Sequence, residues 1–159
     1  MRCPVKLPRT GIGVDAHRIE PGKPCMIACL HFPDADGCEG HSDGDLVAHA
    51  LVDALLSASH LGDLGSFVGV DLPETKGISG AALLQAARAK LEQEGFTLGN
   101  VACQLVGQSP KMGPRRAEAE QKIEEILGCP VSISATTTDK MGFTGSGEGR
   151  AAVATALVY

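Results

Sequence analysis

The stretch that most constrains the fold is residues 41–62, which read HSDGDLVAHALVDALLSASHLG. Ser42 followed by Asp45 predicts an N-cap with a capping box, strong helix formers follow, and Gly62 is placed to end the helix. At about 100° per residue, the larger apolar side chains share one face, which predicts a helix packed on a core. That core face consists of Leu51, Ala54, Leu55 and Ala58. The opposite face consists of Ser42, Asp45, His49, Asp53 and His60.

The polar face of this helix has two interpretations. Carboxylates and imidazoles one turn apart are common on solvated surfaces, and they also suit half of a metal site. Asp15 and His17 end a predicted strand in the pattern D-x-H, so both side chains point to the same side. With His49 they offer two imidazoles and one carboxylate, the composition of a catalytic zinc site with an open fourth position. The spacing agrees equally with Asp15 as a turn residue and His17 as a surface residue.

Length and hydropathy predict a single domain, residues 1–159. The chain has 159 residues, of which 43% are hydrophobic, and that is enough to bury a core. It has no apolar run of the roughly 18 residues that a membrane span needs, so we expect none. The first residues, MRCPVKLPRTGIG, lack the apolar region of a secretory signal.

The cysteine content indicates the cellular compartment, and the charge content argues against one class of partner. The six cysteines form no C-x-x-C pair, which is typical of free thiols in a reducing cytoplasm. They are Cys3, Cys25, Cys29, Cys38, Cys103 and Cys129. A net charge of −5, no tryptophan and 3% aromatic residues argue against a nucleic-acid partner. The positive potential for an anionic substrate must therefore come from metals and backbone N–H groups.

The other segments predict an α+β fold. The predicted strands are 9–16, 25–31, 99–107, 130–138 and 150–158, with turn material at 19–24, and helices 79–94 and 114–127 follow the first helix. We expect a polar loop at 32–41 and a glycine-rich loop at 62–78 that is long enough to be functional. This order favours a two-layer sandwich, in which a mixed sheet of about four to five strands carries helices on one face.

Two loops have the composition of anion-binding segments. Residues 135–149, ATTTDKMGFTGSGEG, hold four glycines in eight residues, and their backbone N–H groups can surround a phosphate. Thr136–Thr138 add hydroxyl donors. The same loop is also typical of a glycine-rich hairpin between the last two strands. Residues 107–113, GQSPKMG, form a similar loop with one lysine, Lys111, a residue type that is usually solvent-exposed in loops.

Taken in order, these stretches resemble the 2-C-methyl-D-erythritol 2,4-cyclodiphosphate synthase family. The resemblance runs from about Gly11 to the C-terminus. The matching motifs are GVDAH at 13–17, HSDGDLVAHALVDALL at 41–56, GDLG at 62–65, TLGNV at 97–101, PKM at 110–112, LGC at 127–129 and ATTTDKMGFTGSGEG at 135–149. No single motif would identify the family, but the ordered set does.

The resemblance implies a phosphorus–oxygen lyase of the non-mevalonate isoprenoid pathway. Such an enzyme converts 4-diphosphocytidyl-2-C-methyl-D-erythritol 2-phosphate to 2-C-methyl-D-erythritol 2,4-cyclodiphosphate and releases CMP. The resemblance also implies a homotrimer with active sites between subunits. Zinc would bind at one position of each site, and magnesium or manganese would bind between the two phosphates of the diphosphate.

Roles for individual residues follow from the same resemblance. Asp15, His17 and His49 would be the zinc ligands, and Asp139 would carry the second divalent metal. His41 and Thr137 would help to hold the transition state. The methylerythritol part would meet residues 63–65, and the cytidine diphosphate would meet 107–113 and 136–139. The full implied substrate-binding set is Asp15, His17, His41, Ser42, Asp63, Leu64, Gly65, Gly107, Pro110, Lys111, Met112, Gly113, Thr136, Thr137, Thr138, Asp139 and Phe143.

Elementary chemistry agrees with those roles. In this reaction a phosphate of the substrate attacks its own diphosphate, and that phosphate is largely deprotonated near neutral pH. No side chain therefore has to act as the nucleophile or as a general base. The task is to align two anions and to neutralise their charge, and two divalent metals on an acidic protein suit it.

Three positions depart from the family pattern. Asp139 stands where a glutamate is usual, so its bond to the second metal could become water-mediated. Ser146 stands where an arginine is frequent, and Arg150 on the following strand is the candidate to compensate. The stretch FVGVDLPE replaces an FPDTD-like sequence, with Asp71 as the candidate stand-in. Because all three zinc ligands are intact, we expect tuned affinity rather than lost activity.

Two functions from other classes stay open at this point. A zinc-dependent phosphohydrolase would use the same three ligands with a metal-bound water, and it would release inorganic phosphate or a linear product. A non-catalytic trimer that binds metal or a cytidine nucleotide would bind CMP or CDP without turnover. Only Ser146 and Asp139 favour this second alternative.

Overall fold

The computed structural model describes residues 7–69 and 76–159 as a mixed five-stranded sheet with helices. The strands are β1 (Arg9–Ile27), β2 (Leu30–Cys38), β3 (Leu98–Val106), β4 (Val131–Thr136) and β5 (Gly149–Val158). The helices are α1 (Leu46–Ser59), α2 (Leu64–Val68), α3 (Gly80–Gln93), α4 (Arg116–Leu127) and α5 (Gly142–Gly145), and a 3-10 turn (Gly113–Arg115) precedes α4. The strand order is β2-β1-β5-β3-β4, antiparallel except for β3–β4. The predicted α+β class and mixed sheet are confirmed.

Helix α1 packs directly on the sheet. Gly11 and Gly13 of β1 lie so close to it that a Cβ on either glycine would overlap a backbone carbonyl of the helix. The predicted core face is confirmed, because all four of its residues are buried. Helix α3 packs against α1 as well, so nearly all of α1 is enclosed. The solvated-surface interpretation is therefore wrong for Asp45 and His49, which are both buried.

The ends of α1 differ from the prediction. Asp45 rather than Ser42 is the N-cap, and its side chain accepts an N–H of the first turn at 3.1 Å. At the other end His60 adopts a left-handed conformation with φ 58° and ends the helix two residues before Gly62. The helix is thus shorter than predicted at both ends, although its core face is as predicted.

The first two strands also differ from the prediction. Residues 9–27 form one strand, and the expected turn at 19–24 is only an irregularity in its register with β2. The expected polar loop at 32–41 is largely strand β2. The chain instead reverses at Ala28 and Cys29, whose φ angles are 52° and 63°.

The remaining helices lie within a few residues of their predicted positions. Ser79 caps α3 by accepting an N–H at 3.1 Å, and Gly128 ends α4 with φ 70°. The glycine-rich loop at 62–78 contains the short helix α2. Asp71 lies outside the described residues, so its predicted role as a stand-in stays a prediction.

Among residues 7–69 and 76–159, no helix covers one face of the central strands. On β1 the glycines face α1, while the alternate residues Ile12 and Val14 are 61% and 58% exposed. Val153 of β5 pairs with Val14 across the strands and is 38% exposed. The sheet therefore presents an open apolar face, defined here by Ile12, Val14 and Val153.

Two bulk expectations can be compared with the structure. No helix within 7–69 and 76–159 combines the length and apolarity needed to cross a membrane. Cys25, Cys29, Cys38, Cys103 and Cys129 are free thiols, as predicted. Cys3 lies outside the described residues.

Candidate active site

The structure brings the three predicted zinc ligands together. Asp15 and His17 point from β1 towards α1, whose first turn carries His49. Asp15 Oδ2 lies 2.8 Å from His17 Nε2 and 3.0 Å from His49 Nδ1. One potential ligand atom from each residue lies within 4.8 Å of the others. Asp15, His17 and His49 thus form a candidate metal-binding triad.

The surroundings of His17 test whether this triad fits a metal. Its Nε2 is buried and, among the described residues, has no aligned hydrogen-bond partner, although Asp15 is near. Leaving a buried nitrogen unpaired costs about 1–3 kcal/mol, and a bound cation would remove that cost. Two imidazoles and one carboxylate are also the ligand types of catalytic zinc sites. The residues present therefore fit a divalent metal.

The charges of the triad are strongly coupled. Burial raises the pKa of Asp15, but the two imidazoles outweigh burial and lower that pKa to about 2. Burial lowers the pKa of His49, yet the adjacent Asp15 carboxylate outweighs burial and raises the pKa above its usual value. Asp15 is therefore anionic at neutral pH. A metal that binds here competes with a proton on His49.

Other predicted substrate residues line the same cavity. A cavity of about 260 Å³ beside the triad is also lined by His41, Ser42, Leu64 and Gly65. The Ser42 hydroxyl lies 2.8 Å from Nε2 of His49. One chain therefore joins the metal triad to four further residues of the predicted substrate-binding set.

Backbone hydrogen bonds place His41 and Ser42 at this cavity. The N–H of Gly77 donates to the His41 carbonyl at 2.6 Å, and the N–H of Asp43 donates to the Ile78 carbonyl at 3.2 Å. The Asp43 carboxylate accepts the N–H of Gly80 at 3.0 Å, which fixes the start of α3 to the same segment. The polar residues before α1 are thus held against the segment that enters α3.

Asp53 positions the segment 63–65. It follows His49 by one helical turn, and its carboxylate accepts the N–H of Leu64 at 2.7 Å. The Asp63 side chain caps α2 by accepting the N–H of Ser66 at 2.8 Å, and it lines a neighbouring cavity instead of the triad's. The sequence places Asp53 on the polar face of α1 but assigns it no role. The one-turn spacing from His49 is the signal that could have suggested one.

The predicted cytidine loop lies elsewhere in the chain. Gln108–Lys111 form one wall of a cleft of about 610 Å³, and Phe32–Ala35 of β2 form the other wall. Met112 is 1% exposed, so its side chain belongs to the core and leaves only its backbone for a substrate. None of the residues 107–113 lines the cavity beside the metal triad.

The glycine-rich loop after β4 is not a hairpin. Strands β4 and β5 are separated by β3, so the hairpin interpretation of residues 135–149 is wrong. The loop crosses over β3 and contains α5. Asp139 adopts a left-handed conformation with φ 51° and is exposed, as are Thr136, Thr137 and Phe143. Within the described residues no second cluster of three ligands surrounds Asp139.

Hydroxyl groups brace this loop from within. Thr138 Oγ1 donates to the Met141 carbonyl at 2.7 Å and lies 2.8 Å from the Thr144 hydroxyl. Ser146 donates to the Phe143 carbonyl at 3.2 Å. Thr136, Thr137 and Asp139 are therefore the members of the predicted 136–139 set whose side chains face solvent.

Arg150 does not take the place of the arginine that Ser146 lacks. Its guanidinium is buried, and it donates to the carbonyl oxygens of Ser109 and Asp36. It thus faces the 107–113 loop and β2. The expectation that Arg150 compensates within the glycine-rich loop finds no support in this geometry.

Known proteins are similar to this chain in sequence and in fold. The model of the YgbB family matches residues 8–159. A 2-C-methyl-D-erythritol 2,4-cyclodiphosphate synthase from Cutibacterium acnes is 55% identical, over 94% of this chain and 90% of the relative. One from Acidothermus cellulolyticus is 50% identical, over 96% of this chain and 95% of the relative.

Solved structures of such synthases superpose closely. A structure of the CDP-bound form of the synthase matches with a TM-score of 0.86 and 31% identity, over 95% of this chain and 100% of the other. IspF of Plasmodium falciparum in complex with CDP matches with a TM-score of 0.81 and 25% identity, over 95% of both chains. The resemblance drawn from the sequence is confirmed. The chain therefore belongs to the YgbB family, as an enzyme of the 2-C-methyl-D-erythritol 2,4-cyclodiphosphate synthase type.

Proposed function

We propose that the chain converts 4-diphosphocytidyl-2-C-methyl-D-erythritol 2-phosphate to 2-C-methyl-D-erythritol 2,4-cyclodiphosphate and releases CMP. The observation that carries this proposal is the cavity that joins the metal triad to His41, Ser42, Leu64 and Gly65. Close relatives with synthase names support the same substrate. Free cysteines agree with a cytoplasmic enzyme, and one continuous core agrees with a single domain, residues 1–159.

In this proposal the residues of the cavity bind and orient the phosphates. Asp15, His17 and His49 would hold zinc, which would orient the attacking phosphate and neutralise part of its charge. His41 is exposed at the cavity and would donate to the charge that develops on the reacting phosphates. The Ser42 hydroxyl, which lies beside the His49 ring nitrogen that is not near Asp15, would donate to the same phosphates.

The cytidine diphosphate end would meet the residues of the implied set at 107–113, 136–139 and 143. Gly107, Pro110, Lys111, Met112 and Gly113 would surround the cytidine, in part through their backbone. Thr136, Thr137 and Thr138 would meet the phosphates, with Phe143 beside them. Asp139 would hold magnesium or manganese between those phosphates, directly or through water. Structures of related synthases with CDP support a cytidine nucleotide as the ligand.

We also propose that the chain acts as a homotrimer with active sites between subunits. Within one chain, the metal triad and the 107–113 loop line different cavities. Contact between subunits would bring the two halves of the site together. The open apolar face supports this, because exposed valine and isoleucine on adjacent strands favour burial against another copy.

Product analysis by phosphorus NMR, with and without a chelator, tests the proposed reaction. We expect a cyclic diphosphate and CMP, and we expect the chelator to abolish both. Inorganic phosphate or a linear product would instead establish the phosphohydrolase. Binding of CDP without turnover would establish the non-catalytic alternative and would attribute the loss to Asp139 and Ser146.

A further inference from the structure

Arg150 is a fully buried arginine outside the metal centre. It lies on β5, where it pairs with His17 of β1, and it is only 1% exposed. Within residues 7–69 and 76–159 it forms no ion pair with a carboxylate. A buried guanidinium loses its hydration, so its position has to be stabilised by other hydrogen bonds.

Those hydrogen bonds connect two separate segments. Arg150 Nε donates to the Ser109 carbonyl at 2.5 Å, and Nη2 donates to the Ser109 hydroxyl at 3.1 Å. Nη1 donates to the Asp36 carbonyl at 2.8 Å and to Cys38 Sγ at 3.4 Å. One side chain thus ties the 107–113 loop to strand β2.

The two segments are the walls of the cleft of about 610 Å³ described above. Asp36 directly follows the wall 32–35, and Ser109 is part of the wall 108–111. At Gly107 the loop lies against the aliphatic part of Arg150, where a Cβ would be 3.3 Å from its Cγ. The guanidinium therefore sets the distance between the two walls and the path of the loop.

A second arginine, Arg115, lines the same cleft. The Arg115 guanidinium lies 4.6 Å from the centre of the Phe32 ring. It also donates to the carbonyl of His31. Arg115 is held at the surface by Glu118, whereas Arg150 is enclosed. Water therefore cannot replace the hydrogen bonds of Arg150, whereas it can reach those of Arg115.

We propose that Arg150 is a positioning residue that holds the 107–113 loop in the conformation that receives the cytidine diphosphate end of the substrate. This inference rests on the proposed function. Arg150 touches no substrate in this scheme. It acts by fixing the backbone of Ser109 and its neighbours before the nucleotide arrives, so its loss raises the cost of ordering the loop on binding.

Arg150→Met and Arg150→Lys test the proposal, with Arg88→Met as the matched control. Arg88 also joins two elements through a carbonyl, because its Nη1 donates to Ile126 at 3.0 Å, but it does so between α3 and α4. The measurements are the calorimetric affinity for CDP, kcat and KM, bound zinc and thermal unfolding. Tryptic cleavage after Lys111 reports on the loop without any turnover.

We expect Arg150→Met to weaken CDP binding and to raise KM by about tenfold or more, with kcat and bound zinc near the values of the natural chain. Cleavage after Lys111 should become faster. Arg150→Lys retains one donor group, so its CDP affinity and KM should lie between those of the natural chain and of Arg150→Met. If Arg150→Met does not fold, Arg150→Lys provides the comparison instead. Arg88→Met should lower thermal stability only.

Unchanged CDP affinity in folded Arg150→Met would overturn the proposal, and so would equal weakening in Arg88→Met. If the natural chain itself binds no CDP, the proposed function fails, and this inference fails with it. If the natural chain binds CDP and turns over its substrate while Arg150→Met does both equally well, only this inference fails.

Discussion

Two histidines at the cavity beside the metal-binding triad differ in their surroundings. His49 is buried, with one ring nitrogen 3.0 Å from Asp15 Oδ2 and the other 2.8 Å from Ser42 Oγ. His41 is exposed at the same cavity and does not belong to the metal-binding triad. In the proposed function, a substitution at His49 would therefore remove a metal ligand, whereas a substitution at His41 would remove a donor to the phosphates.

We expect His49→Ala to lose bound zinc and activity together, because two ligands bind zinc far more weakly than three. His41→Ala should keep its zinc while kcat falls by about 100- to 1000-fold, as for the loss of one preorganised donor to a transition state. Zinc analysis beside turnover measurements separates the two. The exposed His31→Ala is the control and should change neither. An active, zinc-loaded His49→Ala protein would contradict the ligand assignment.

Sequence reasoning was most successful where a local pattern fixes a direction. The alternation of a strand sends Asp15 and His17 to one side, and the structure brings both to His49. It gave Asp53 no role, and it expected Arg150 to compensate for Ser146, whereas the partners of these side chains are Leu64 beyond the end of α1 and Ser109 on another loop. Contacts between distant segments leave no local pattern.

The Asp45 side chain joins the β1–β2 hairpin to helix α1. Its carboxylate caps α1 and also accepts the N–H groups of Ala28 at 2.9 Å and Cys29 at 2.7 Å. Burial of the carboxylate raises the pKa of Asp45 to about 6, although these N–H groups oppose that shift. At pH values between the ordinary carboxyl pKa and about 6, Asp45 therefore keeps its proton in the folded protein and loses it in the unfolded chain.

We expect the contribution of Asp45 to the free energy of unfolding to fall as pH rises from about 4 to about 7, by about 3 kcal/mol. Asp45→Asn should remove this slope. It should also lower stability near pH 4 by about 1–3 kcal/mol, because the amide turns a donor towards backbone N–H groups. Urea denaturation of both proteins across this pH range measures the difference. Parallel pH profiles would show that folding does not raise the pKa of Asp45.

The sequence did not predict the β1–β2 turn or the connection from β4 to β5, because the first depends on Asp45 and the second on the strand order. The turn at Ala28 and Cys29 carries neither glycine nor proline, so no local signal marks it, and a residue from another segment stabilises it. The glycine-rich loop looked like a hairpin because β4 and β5 are consecutive in sequence, yet β3 lies between them. Helices α3 and α4 were predicted well because their caps and apolar periodicity are local.

The open apolar face is the surface that the proposed trimer would bury. We expect light scattering to give three times the mass of the chain. Val14→Glu places a charge where Val14 and Val153 are adjacent, so it should dissociate the assembly and abolish activity. Bound zinc should remain, because all three ligands belong to one chain.

Ala86→Glu is the control for that experiment, since Ala86 is exposed on α3, away from this face. It should leave both mass and activity unchanged. A Val14→Glu protein that stays trimeric would exclude this face as the contact between subunits. An active monomer would exclude a site shared between chains.

Because Gly11 and Gly13 have no side chains, the geometry of the candidate metal-binding triad depends on how closely α1 packs on β1. Those two glycines allow the backbones of β1 and α1 to touch, and β1 supplies two of the three ligands while α1 supplies the third. The distance from His49 to Asp15 and His17 therefore depends on how closely α1 packs on β1. A single added methyl group at Gly13 would widen that interface and separate His49 from Asp15 and His17. Any change that loosens the packing of α1 on β1 would therefore also weaken metal binding by the candidate triad.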